Sequence, residues 1–156
     1  MNDKEILKWK IQQKIEQQKI KNTFKDNIAF SECINALGNN TIIFSQDKSK
    51  QITNEFESVI PFDNNGNIEW ENLKNVYAVK DVEELNLLKG KLNILNERLY
   101  VIWDDYEVPV IEADLTNLLE DIDYVEAVEY YFWLFSSKEK IVLEFTEEGT
   151  IYIGHN

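Results

Sequence analysis

Six consecutive large side chains, YYFWLF at residues 130–135, constrain this chain more than any other feature. The run is far too short to cross a membrane, which takes about 20 apolar residues. It predicts instead a central strand covered on both faces. Beyond it the apolar period changes from 3.6 to 2. IVLEFT, 141–146, is expected to turn Ile141, Leu143 and Phe145 inward and Glu144 outward, with Val142 spoiling the outer alternation. TIYIG, 150–154, follows a tight turn at Glu147, Glu148 and Gly149. Three strands joined by short turns read as an antiparallel meander.

The chain upstream is richer in helix. From Glu5 to about Leu37 apolar residues recur at helical spacing, with Leu7, Ile11 and Ile15 first and Phe24 and Ile28 after a phase change. Asn22 or Thr23 marks the break between two helices, and Gly38 a stop. Cys33 falls within the second apolar pattern and reads as a core thiol. TIIFS, 41–45, is a short strand; residues 48–60 suggest one or two helical turns. Asn64, Asn65, Gly66 and Asn67 build a turn whose glycine is misplaced for a calcium loop. NVYAVK, 75–80, alternates as a strand. Asp81 and Glu84 then cap a helix with Val82, Leu85, Leu88 and Leu92 inside, which Gly90 weakens or ends. LYVIW, 99–103, is a strand leading into the loop DDYEVP, with PVIEA, 109–113, as a continuation. Asp114 is placed to cap a helix with Leu115, Leu118, Leu119, Ile122 and Val125 inward. Helices early and strands late predict an α+β fold: a helical N-terminal part, then a mainly antiparallel sheet ending in the three-strand meander. One domain over residues 1–156 is expected, with residues 1–38 its mainly helical N-terminal region.

Charge is distributed unevenly. The 156 residues carry a formal net charge of −13. Residues 1–25 hold seven lysines against Asp3, Glu5 and Glu16, a net of +4. Residues 103–148 hold fourteen acids against Lys138 and Lys140 alone, a net of −12. Such a body repels nucleic-acid backbone and anionic membrane, and attracts a basic partner. The N-terminus is charged throughout and has no signal-peptide pattern. With one cysteine, no internal disulfide can form. These features suggest a cytoplasmic protein.

Motifs for chemistry are sparse. His155, the single histidine, is penultimate and reads as a solvated tail residue. Asp104 and Asp105 are adjacent and point to opposite faces of an extended segment, whereas Glu112 and Asp114 could share one. Such a pair would suit a small carboxylate-dependent hydrolase. No glycine-rich phosphate loop, GxSxG elbow or HExxH is present. Trp103 and Trp133 read as core residues; Trp70 is a minor candidate for an interface. The expectation is a protein without catalytic residues, metal or cofactor.

Binding through the negative field has a physical basis, because carboxylates steer a basic partner and an aromatic anchor within the charged rim holds it. The candidate surface is Asp104, Asp105, Glu107, Asp121, Asp123, Glu126 and Glu129, with Trp103 or Tyr106 as anchor if exposed. The final strand TIYIG offers another route, pairing edge to edge with a partner.

YFWLFSSKEKIVLEFTEEGTIYIG, 131–154, resembles the end of bacterial immunity proteins of contact-dependent growth inhibition and related polymorphic toxin systems. The matching elements are the aromatic strand Tyr131 to Phe135, the strand Val142 to Phe145, and the close from Gly149 to Gly154. LYVIWDDYEVPVIEAD, 99–114, suits the same group; the lysine-bearing N-terminal helices do not. The resemblance implies a cytoplasmic protein that binds and blocks one cognate toxin domain, many such toxins being basic nucleases. The residues also leave open a nucleic-acid mimic aimed at a DNA-binding protein.

Overall fold

The computed structural model describes residues 2–94 and 97–156. Helix α1, Asp3–Thr23, begins with a capping box: the Asn2 side chain accepts from the Glu5 N–H and the Glu5 carboxylate from the Asn2 N–H, each at 3.0 Å. Helix α2, Ile28–Leu37, is capped by Asn27 and stopped by Gly38 at φ 88°. Strand β1, Ile42–Ile43, leads to α3, Gln46–Val59, capped by Ser45. A 3₁₀ turn at Trp70–Asn72 precedes β2, Lys74–Val79, and α4, Val82–Leu88. Strands β3, Arg98–Trp103, and β4, Ile111–Asp114, are followed by α5, Leu115–Glu120, and α6, Ile122–Val128. The meander β5, Phe132–Ser136, β6, Ile141–Phe145, and β7, Ile151–His155, completes the fold.

The seven strands among the described residues form one antiparallel sheet in the order β1-β4-β3-β5-β6-β7-β2. The fold is the expected α+β, with helices first and the meander last. Period-2 alternation divides the side chains between two cores. Leu99, Val101, Trp103, Phe132, Leu134, Ile141, Leu143 and Phe145 face a core shared with α2, α4, α5 and α6. Ile102, Phe135 and Val142 face a second core with Ile52 and Phe56 of α3, plus Ile60, Ile68 and Leu73. A sheet covered on both sides is what the apolar run at 130–135 requires.

Several expectations change. Residues 48–59 belong to a full helix, α3, closed by Ile60, whose narrow stripe of Ile52, Phe56 and Val59 sits in an otherwise polar sequence. PVIEA does not continue β3: β4 folds back antiparallel, with Val101 opposite Ile111. The helix after Asp114 is two helices broken at Asp121, and the Asp114 carboxylate meets Arg98 at 3.3 Å instead of a helix N–H. Val142 and Glu144 are not solvent-facing, since α3 and the segment after it cover that side of the sheet; Glu144 is 6% exposed. His155 is no loose tail: it lies in β7 opposite Ile141 and Lys74. The final strand has no free edge, because β6 and β2 flank it, so pairing of TIYIG with a partner is ruled out by the sheet itself. Gly90 does end α4 early, at Leu88.

Candidate functional site

Antiparallel register brings three chain connections to one end of the sheet. Trp103 lies opposite Phe132, Phe132 opposite Phe145, and Phe145 opposite Ile151. The chain leaving Trp103, the chain entering Phe132 and the turn from Phe145 to Ile151 therefore emerge side by side. Between them they hold Asp104, Asp105, Glu107, Glu129, Glu147 and Glu148, and no lysine, arginine or histidine. Lys138 and Lys140 occupy the β5–β6 turn at the other end, where Arg98, Lys74 and His155 also lie. The β2–α4 connection, whose Val79 pairs with Ile151, brings Lys80 and Asp81 to the acidic end as well, and Glu139 lies beside Lys138 at the other. It is therefore the three neighbouring connections, not the whole end of the sheet, that are free of cations.

Local hydrogen bonds hold the acidic end in shape. The Asp104 N–H donates to the Tyr131 carbonyl at 3.0 Å, tying the loop after β3 to the entry of β5. The Asp105 carboxylate accepts from the Glu107 N–H at 2.9 Å, and its carbonyl from the Val108 N–H at 3.1 Å. Asp105 is consequently spent on the turn, and the turn presents Asp104, Tyr106 and Glu107 to solvent. Tyr106 is 90% exposed. Trp103 is 5% exposed, rests edge-on against Phe30 and donates from Nε1 to the Val125 carbonyl at 2.9 Å. It is a core residue and cannot anchor a partner, so of the two proposed anchors Tyr106 alone has the exposure.

The helical acids form a second group. The Trp103–Val125 bond places α6 beside the loop after β3. Asp121 sits at the α5–α6 break, close enough to α2 that its charge, after burial, helps push the Cys33 thiol up to about 12. Cys33 is fully buried, as its place in the apolar pattern predicts. Asp123 is exposed and Glu126 half-buried; burial first, and then the neighbouring Asp123 charge, hold the Glu126 carboxyl above the usual carboxylate range. Glu129 is half-buried and accepts from the Tyr130 N–H. Among the described residues no lysine or arginine nitrogen lies within 4.0 Å of any of these acids.

Three acids escaped sequence reasoning. Glu147 and Glu148 join the others only through strand register, which no local pattern reveals. Glu144, taken for a solvent-facing residue, is buried beneath the same end and accepts from Trp133 Nε1 at 2.9 Å. The Tyr131 hydroxyl beside it is driven well above the usual phenol range by burial, then by the charges of Glu144, Asp104 and Glu148. Trp70 is half-buried against Tyr152, ring centroids 5.6 Å apart.

The carboxylate pair weighed for hydrolysis is otherwise engaged. Glu112 and Asp114 share a face, as their spacing predicts, and both meet the Arg98 guanidinium, at 3.7 and 3.3 Å. Arg98 also donates to the Asn40 and Glu112 carbonyls, which makes this cluster a brace between β1, β3 and β4.

No curated protein matches the chain. Residues 27–154 match a family described as CdiI immunity protein, EcoliA0-like. That range begins at the cap of α2 and ends in the last strand, taking in the whole sheet and its acidic end. The chain belongs to the CdiI immunity proteins, which neutralise a toxin.

Proposed function

We propose that this protein neutralises a basic toxin domain, a nuclease, by stoichiometric occlusion and performs no reaction of its own. The observation that carries the reading is the convergence of three connections bearing six carboxylates and no cation at one end of the sheet. Nuclease active sites are positively charged because their substrates are polyanions. A fixed anionic surface competes for the same ground, and charge complementarity speeds encounter well beyond the neutral association rate of about 10⁵–10⁶ M⁻¹s⁻¹. The surface comprises Asp104, Glu107, Asp123, Glu126 and Glu129, with Asp105 and Asp121 shaping it and Tyr106 as anchor. In this reading the protein works in the cytoplasm; no helix among the described residues is long and apolar enough to cross a membrane.

The test is association kinetics against the cognate toxin domain. Changing Asp104, Glu107 and Asp123 to lysine slows association at low salt by about tenfold or more and flattens its salt dependence. An unchanged on-rate and affinity would falsify the surface. Nucleic acid degraded by the free toxin and spared at a 1:1 ratio supports the nuclease assignment. A toxin that attacks some other substrate overturns that part alone.

A further inference from the structure

Helix α1 stands apart from the rest of the fold. None of its residues is buried. Its C-terminal half is attached: Ile20 and Phe24 pack on the larger core, and the Gln17 side-chain amide donates to the Ile43 carbonyl and accepts from the Ile43 N–H, at 2.8 and 2.9 Å. Residues 3–15 have no such anchorage, yet carry Ile6, Leu7, Trp9, Ile11 and Ile15 at 37–59% exposure. A free helix that short is marginal in water. The family match begins after it, at residue 27.

We propose that the free half of α1 is a self-association element that docks on the acidic surface of a second copy of this chain. Charge selects this occupant. Lys4, Lys8, Lys10 and Lys14 outnumber Asp3 and Glu5 in the segment, a net of +2, so a basic toxin is repelled, whereas a second copy carries −13 overall and −12 over residues 103–148. No α1 lysine has an acidic partner within 4.0 Å in its own copy among the described residues. A bilayer is a poorer match. At 100° per residue Leu7, Ile11 and Ile15 lie on one side of the helix and Ile6 and Trp9 on another, while interfacial helices collect their apolar residues on one face. The acidic body also opposes approach to anionic lipid. The area suffices: residues 3–15 form roughly 20 Å of helix, and two reciprocal contacts bury on the order of 1,600 Å², a standard stable interface.

This inference rests on the toxin reading only in setting a basic toxin aside as the occupant. It is tested with the protein alone, by sedimentation velocity over a range of micromolar concentrations, so its failure leaves that reading standing. The full chain dimerises at low salt and dissociates at about 0.5 M NaCl. Leu7→Asp with Ile11→Asp, Lys8→Glu with Lys14→Glu, and Asp123→Lys with Glu126→Lys each weaken the dimer at least tenfold, with near-UV circular dichroism unchanged. The three pairs alter exposed apolar, basic and acidic positions in turn, so one misfolded variant leaves the others to decide. A chain that stays monomeric at every concentration overturns the proposal. So does a dimer indifferent to the acid reversal, and so does a monomer that co-sediments with anionic phosphatidylserine vesicles through α1.

Discussion

Glu144 has exchanged water for the indole N–H of Trp133, its cross-strand neighbour, and the residue is 6% exposed. Truncating it leaves the half-buried Trp133 N–H without its acceptor, which costs about 1 kcal/mol. Glu144→Ala should lower the urea midpoint accordingly; Glu144→Gln, which keeps an acceptor, should lose less. Equal losses would show that the hydrogen bond contributes nothing beyond packing. Glu126 illustrates the opposite sign. Its folded carboxyl binds a proton more tightly than the unfolded one, because burial and Asp123 both disfavour the charge. Stability from this group is therefore present below the unfolded carboxylate range and lost as pH rises through the folded value. Glu126→Gln should raise the urea midpoint at pH 7 and leave it unchanged near pH 3, where both side chains are neutral. A residue that weakens its own fold this way is consistent with a surface kept acidic for a partner.

Among the elements, β7 and the 3₁₀ turn before β2 meet closely. Gly154 lies in the strand with Leu73 and Trp70 above it, and a Cβ there would come within 3.1 Å of both. Gly154→Ala should cost about 1–3 kcal/mol as the turn is forced outward. Denaturant titration measures the loss. The opposite sheet edge uses a different device. β1 pairs with β4 on one side, and the Gln17 amide satisfies the Ile43 peptide groups on the other. One side chain thus closes an edge that would otherwise invite another strand. Elements with strong local signals were legible in advance: the two N-terminal helices and their break, the Asp81 cap, and the meander. Helix α3 was not, because three apolar side chains in fourteen residues are too few to declare a period.

For the whole molecule, the net charge of −13 is a standing cost. Carboxylates crowded at one end of the sheet repel one another in the folded state more than in the expanded chain. The melting temperature should therefore rise as salt increases from about 0.05 to 0.5 M. The Leu7→Asp, Ile11→Asp chain is the right subject for calorimetry, so that self-association does not contribute. A melting temperature that falls with salt would mean that attractive pairs outweigh the repulsion. The residues by themselves determined that strands would be buried on both faces, that the chain would be strongly anionic after residue 102, and that ordinary catalytic motifs are missing. Tertiary structure decided which acids stand together, that Trp103 is core and Tyr106 exposed, that Glu144 is buried, and that the last strand is interior. The division follows from range. Periodicity and caps depend on residues a few positions apart, whereas strand order, register and the second covering layer depend on contacts between segments tens of residues apart.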